Sequence, residues 1–173
     1  SLSADGSVVA IGATSNSDNG RNSGHVRIYQ NLNGSWTKIG DDIDGEAADD
    51  YSGGAVSLSA DGSVLAIGAT GNDGNGTDSG HVRIYQNVNG TWTKIGNDID
   101  GEKGYSTTGM GMGIDSGDFS GDSVSLSADG SVVAIGVPYN DGNGLNSGHV
   151  RIYQNVSGTW TQVGSDIDGA ARD

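Results

Sequence analysis

The segment Ala55–Gly96, "AVSLSADGSVLAIGATGNDGNGTDSGHVRIYQNVNGTWTKIG", holds short β-prone runs separated by turn residues. "AVSLS" (55–59) is a first strand. It runs into Ala60-Asp61-Gly62, and an Asp-Gly pair favours a hairpin because both residues tolerate positive φ. "SVLAIGA" (63–69) is a continuous apolar run of the kind that suits a strand covered on both faces. "HVRIYQ" (81–86) is a third strand. Asn89-Gly90 turns it into a fourth, "TWTKIG" (91–96).

The same order of strands occurs three times. "SLSADGSV" starts at Ser1, Ser57 and Ser125, and "SGHVRIYQN" starts at Ser23, Ser79 and Ser147. The spacings are 56 (57 minus 1) and 68 (125 minus 57), and an insert around Gly104–Asp115, with Met110 and Met112, accounts for the longer one. The repeats are assigned to 1–56, 57–124 and 125–173 of a single domain. Four antiparallel strands in a unit of this length are what a β-propeller blade needs. The expected fold is therefore all-β: three four-stranded antiparallel blades, part of a larger propeller or of one completed by association. A β-sandwich would not predict three near-identical units, and helical solenoids are excluded by the glycine content and the lack of a 3.6-residue period.

The repeats resemble the FG-GAP repeat of integrin-α-type propellers. The Phe-Gly place reads Ser52-Gly53 and Ser120-Gly121. The Gly-Ala-Pro place reads Gly12-Ala13-Thr14, Gly68-Ala69-Thr70 and Gly136-Val137-Pro138. The glycine that opens an aromatic-ended third strand is Gly24, Gly80 or Gly148, leading to Tyr29, Tyr85 or Tyr153. The resemblance implies an extracellular or cell-surface, non-catalytic, adhesive module with protein or glycan partners, aided by divalent cations. The family's calcium loop does not carry over. Its place holds Ala4-Asp5-Gly6, Ala60-Asp61-Gly62 and Ala128-Asp129-Gly130, and one carboxylate cannot supply the roughly six to eight oxygens that calcium takes.

Bulk composition narrows the function. The 173 residues carry 22 acidic against 8 basic side chains, a formal charge of −14, which disfavours nucleic acid as a partner. Without cysteine there is no disulfide, thiolate nucleophile or thiolate metal site. No apolar run reaches the roughly 18 residues of a membrane helix, so no membrane insertion is expected. Ser1 stands where a starting Met would be, and the chain is read as a mature or excised piece. Propellers usually have about four to eight blades. The expectation is thus a homodimer giving six blades, or a fragment of a longer repeat chain.

Several residues are candidates for chemistry. The loops between second and third strands offer Asn72, Asp73, Asn75 and Asp78, and Asn140, Asp141, Asn143 and Asn146, as hard oxygen ligands for calcium. The same residues suit a turn in which Asx side chains bond their own backbone. The acidic connections alternate Asp42, Asp44 and Glu46, then Asp98, Asp100 and Glu102, then Asp166, Asp168 and Ala170. They read as a cation site or a solvated rim. His25, His81 and His149 share a strand face with Arg27, Arg83 and Arg151, as a structural ladder with carboxylate partners. Trp36, Trp92 and Trp160 are either sugar-stacking platforms or anchors between neighbouring units. Asn33, Asn75, Asn89 and Asn155 fit the N-glycosylation pattern. No nucleophile–base set stands out, and the chain is expected not to be an enzyme. A lectin with one site per blade and a propeller hydrolase or lyase are the alternatives.

Overall fold

The computed structural model describes residues 1–102 and 117–170; the 104–115 insert lies outside them. The described residues form strands and no helix. The first sheet contains β1 (Val8–Ala13), β2 (His25–Leu32), β3 (Ser35–Lys38) and β4 (Ile43–Asp44). The second contains β5 (Ala55–Leu58), β6 (Val64–Ala69), β7 (His81–Val88), β8 (Thr91–Lys94) and β9 (Ile99–Asp100). The third contains β10 (Ser123–Leu126), β11 (Val132–Val137), β12 (His149–Val156), β13 (Thr159–Gln162) and β14 (Ile167–Asp168). All pairings between these strands are antiparallel, in the order β5-β6-β7-β8 and its equivalents.

Each outermost strand is broken in two. β8 pairs with the end of β7 (Tyr85–Val88), and β9 pairs with its start (His81 and Val82). The sequence reading ended this strand at Gly96 and missed β9, because Asp and Gly dominate the stretch around its two paired residues. The repeat boundaries at 56/57 and 124/125 fall inside β5 and β10. In the first sheet the innermost strand is reduced to one bridge, Leu2 with Val9.

The turns form for local reasons. Asn89 and Gly90 both take positive φ (53° and 87°), the two-residue turn whose twist matches the strands it joins. Asn33-Gly34 and Ser157-Gly158 adopt the same geometry. At the other hairpin, Gly62 N–H donates to Ser59 O (3.0 Å), and Asp61 Oδ1 accepts from Ser59 Oγ and Ser63 N–H (2.7 and 3.0 Å). Asp5 and Asp129 repeat this. These bonds, chiefly from the Ser7 N–H to Asp5 and from the Ser127 hydroxyl to Asp129, hold both carboxyls down at about 2.

The sheets stack face to face, with β5 against β1 and β10 against β5 and β6. One apolar cluster joins sheets one and two through Val26, Ile28, Leu65 and Ile67. A second joins sheets two and three through Val82, Ile84, Val133 and Ile135. Sequence and burial diverge instructively here. β6, in the middle sheet, is buried at all six positions, as a doubly covered strand should be. β1 has nearly the same sequence but buries Val8 and Ala10 on one face, while β11 buries Val133, Ile135 and Val137 on the other. The stacking needs glycine at one point. A Cβ on Gly12 would lie 1.9 Å from Gly53 O, and one on Gly68 would lie 2.0 Å from Gly121 O.

Two predictions follow from the turns. Ser157→Asn places a residue better suited to positive φ at the only non-asparagine copy of that turn, and should raise stability by about 0.5–1 kcal/mol, read as a higher Tm. The turn carboxylates have folded pKa values below their ordinary value, so their contribution is present above pH 3.8 and is lost as pH falls through about 2. Asp129→Asn should therefore flatten the decline of Tm over that interval, measured against wild type by circular dichroism.

Candidate functional site at the sheet junctions

The loops that join second to third strands and the connections that lead into the next sheet lie at one end of the molecule and bond to each other. Asn19, Asn75 and Asn143 each donate through Nδ2 to the carbonyl of Gly45, Gly101 or Gly169 (2.7, 2.8 and 2.9 Å). Asp50 is buried in this end at 2 % exposure. Its Oδ2 accepts from Glu46 and Ala47 N–H (3.0 and 2.9 Å), and its Oδ1 from Asn72 Nδ2 (3.3 Å). Asp118 takes the corresponding place and accepts from Asn140 Nδ2 (2.8 Å). Sequence reasoning missed both aspartates. The signal was present: Asp50-Tyr51-Ser52-Gly53 and Asp118-Phe119-Ser120-Gly121 share one pattern.

The proposed loop ligands are largely occupied with local backbone. Asn72 and Asn140 Oδ1 accept from Gly74 and Gly142 N–H (both 2.8 Å). Asp73 and Asp141 Oδ1 accept from Asp78 and Asn146 N–H (2.9 and 2.7 Å). Asn75 and Asn143 hold the connection as described above. Burial, reinforced by the neighbouring Asp73, pushes the Asp78 carboxyl up.

At the start of each third strand a histidine, an arginine and carboxylates meet. His25, His81 and His149 are buried and pair in register with Asp44, Asp100 and Asp168. Two residues on, the arginine reaches the preceding sheet wherever there is one. Arg83 Nη1 lies 3.2 Å from Glu46 Oε1, and its Nη2 donates to Asp44 O (2.8 Å). Arg151 pairs with Glu102 of the second sheet and with Asp166 of its own (3.1 Å). Among the described residues no sheet precedes that of Arg27, which bonds within its own sheet to Asp42 (2.8 Å). The acidic connection therefore does not gather its carboxylates at one point: Asp42 serves its own sheet, and Glu46 the next.

The electrostatics follow from this burial. Desolvation, with Arg83 beside it, holds His81 below its ordinary value, so this imidazole is neutral at pH 7. Arg27 and Lys38 hold Asp42 well below the usual carboxylate range, and Arg151 does the same to Asp166. Burial works against the Arg151 charge, but its bonds to Asp166 and Glu102 outweigh that effect and raise its pKa. Glu46 and Glu102 are the solvent-facing members, with side chains 44 % and 45 % exposed.

Three sets could hold a metal ion: Asp18, His25 and Asp42; Glu46, His81 and Asp98; Glu102, His149 and Asp166. Each set's ligand atoms lie within 4.8 Å of one another. One imidazole nitrogen with two carboxylates suits a transition metal better than calcium. The guanidinium on the same carboxylates would have to give way to it.

The tryptophans lie at the junctions too. Trp160 Nε1 donates to Ile95 O of the preceding sheet (2.9 Å), and Trp92 packs against the first cluster. Trp36, in the sheet with no predecessor, is 48 % exposed.

No protein-family model matches the chain. No curated protein matches it either. Among solved structures it is similar to a Bacteroides uniformis protein named as a candidate 6-phosphogluconolactonase, with a TM-score of 0.57 and 17% identity over 99% of this chain and 41% of that one. It is also similar to the periplasmic gluconolactonase of Pseudomonas aeruginosa, with a TM-score of 0.49 and 14% identity over 91% of this chain and 37% of that one. The chain thus spans about two fifths of the length of the structures it matches. At this identity the likeness speaks for the fold.

The first of these likenesses corrects the FG-GAP resemblance and, with it, the reading of a non-catalytic adhesive module: that structural neighbour carries a lactonase name. The physical reason lies at the supposed Phe-Gly place. Ser52 is fully buried, its N–H donates to Ser23 O (3.0 Å), and its backbone is so close to Gly24 that a Cβ there would lie 2.1 Å from Ser52 O. The aromatic residues, Tyr51 and Phe119, come one position earlier at positive φ.

The arginine bonds make a stability prediction. Glu46→Ala leaves the buried Arg83 guanidinium facing a carbonyl, and should cost about 2–3 kcal/mol. Lys94→Ala removes a pair at the surface with Asp98 and should cost under about 1 kcal/mol. Urea unfolding of the two variants measures the contrast.

Proposed function

We propose that the three sheets are consecutive blades of a β-propeller, and that the chain is part of a hydrolase that opens lactones. The observation that carries the activity is the repeated junction of a half-exposed glutamate with a buried arginine and a buried histidine: Glu46, Arg83 and His81, then Glu102, Arg151 and His149. The stacked, antiparallel, four-stranded pattern and the likeness of 99% of this chain to 41% of a lactonase-named structure support the propeller reading.

Opening a cyclic ester needs a base for water and a cation for the developing oxyanion. The glutamate carboxylate takes a proton from water as the water oxygen attacks the lactone carbonyl. The neighbouring guanidinium stabilises the negative oxygen of the tetrahedral intermediate. Collapse breaks the ring C–O bond, and the ring oxygen takes the proton back from the glutamic acid, leaving a hydroxy acid. The buried histidine lies beside the carboxylates, with its ring nitrogen within 4.8 Å of their oxygens. The net charge of −14 repels a phosphorylated substrate, so a neutral sugar lactone is favoured over its phosphate ester.

The test is ring opening of gluconolactone by the purified chain, followed with a pH indicator and corrected for the spontaneous rate. A rate above background that falls at least about tenfold in kcat/KM in the Glu46→Gln, Glu102→Gln double variant is expected. Absence of any enzymatic rate, or an unchanged rate in a double variant with native circular dichroism, overturns the proposal.

A further inference from the structure

An asparagine followed by glycine can close on its own backbone, because glycine puts no Cβ in the way of its nitrogen. The chain holds five such pairs: Asn19-Gly20, Asn33-Gly34, Asn75-Gly76, Asn89-Gly90 and Asn143-Gly144. The fold divides them into two kinds. Asn19, Asn75 and Asn143 are tied: each donates through Nδ2 to the carbonyl of Gly45, Gly101 or Gly169 (2.7, 2.8 and 2.9 Å). Asn33 and Asn89 sit at positive φ in two-residue turns, are exposed, and form no side-chain hydrogen bond among the described residues. A Cβ on Gly34 or Gly90 would meet nothing within 4 Å, whereas one on Gly20 would lie 3.2 Å from Ala48 N. The glycine N–H is bonded in all five pairs and does not separate them; the asparagine amide does.

We infer that Asn33 and Asn89 are sites of spontaneous deamidation, converted without an enzyme to aspartate and isoaspartate. At Asn89 the Gly90 nitrogen attacks Cγ. The new N–C bond closes a succinimide ring, the Cγ–Nδ2 bond breaks, and Nδ2 leaves as ammonia with the proton that the glycine nitrogen gives up. Water then adds to either ring carbonyl and opens the ring. One carbonyl gives aspartate; the other gives isoaspartate, with the main chain rerouted through the former side chain. No oxidant or reductant enters. A tied amide must first release its carbonyl acceptor by local opening, and this slows the same reaction at Asn19, Asn75 and Asn143. The third copy of the turn is an internal control: Ser157-Gly158 has the same geometry and no amide to lose. The chemistry belongs to the turn and does not depend on the lactonase reading.

The consequence is structural. Isoaspartate adds a methylene to the backbone of a two-residue turn, and that turn fixes the register of β7 against β8. The turn also faces the preceding sheet: a Cβ on Gly40 would lie 2.8 Å from Gly90 O and 3.1 Å from Trp92 Cδ1. Trp92 packs against the first apolar cluster. Conversion at Asn89 therefore loosens the strand that closes the first junction. Each conversion also adds negative charge to a chain already at −14.

Ageing the purified chain in warm, mildly alkaline buffer tests this, with isoelectric focusing for the new charge and peptide mapping by mass spectrometry for the sites. In the folded chain Asn33 and Asn89 should convert about tenfold faster than Asn19, Asn75 and Asn143, roughly the factor one such hydrogen bond is worth. In urea the difference should vanish. Ser157→Asn should create a further reactive site at the rate of Asn89. The Asn33→Ser, Asn89→Ser double variant uses the residue that the third turn already carries at positive φ, so it should fold, as circular dichroism checks. It should keep its Tm on ageing while wild type loses some. Equal rates at all five asparagines of the folded chain overturn the inference. So does an unmodified Asn89 under conditions that modify the urea-unfolded chain, or a natively folded Ser157→Asn that gains no site. An equal loss of Tm in the double variant overturns the structural consequence.

Discussion

The structure depends on a contact between backbones. Where the second strand of one sheet passes the first turn of the next, Gly12 meets Gly53 and Gly68 meets Gly121 with no space for a Cβ. That approach sets the separation of the sheets, and the separation decides what the side chains can do. It lets Ile28 and Leu65, or Ile84 and Val133, share one apolar layer with the water excluded. It also brings the acidic connection of one sheet within reach of the arginine of the next. The polar junction is thus a consequence of the packing and not a separate device.

Burial of the arginines then becomes tolerable. A guanidinium taken out of water is costly unless carboxylates and carbonyls surround it. Arg83 meets Glu46 and the Asp44 carbonyl, and Arg151 meets Glu102 and Asp166. Arg27 shows the converse. Without a preceding sheet it stays nearly half exposed and turns to its own Asp42. The same sequence therefore gives different ionic environments according to position in the stack. Catalytic power, on the reading advanced above, would belong to completed junctions and not to single sheets.

Much of the fold was legible because its signals are local. Asn-Gly at 33–34 and 89–90 and Asp-Gly at 61–62 specify turns by their own backbone preferences, and the structure places turns there. Three copies in order made the repeat unmistakable. The rest was hidden because it is non-local. β9 pairs only two residues with β7, and no local propensity marks it. Asp50 lies in a segment that reads as solvated acid, and only the folded connection shows it receiving two N–H groups and an asparagine amide. The family resemblance failed for a related reason. It compared positions along the chain, whereas the backbone of Ser52 is fixed against Ser23 and Gly24, far from it in sequence.

The loop Gly71–Gly80 shows how composition alone misdirects. Oxygen-bearing side chains separated by glycines are what a cation loop and an Asx turn have in common. The difference lies in where the oxygens point. In Asn72 and Asp73 they accept backbone N–H groups of the same loop, and Asn75 uses its amide to hold the neighbouring connection. Those bonds rigidify the end of the sheet that presents Glu46 and Glu102. On the hydrolase reading proposed above, a carboxylate acting as a base next to a guanidinium needs its backbone fixed, because its strength depends on that spacing. The glycine- and asparagine-rich loops thus brace the connections that carry Glu46 and Glu102.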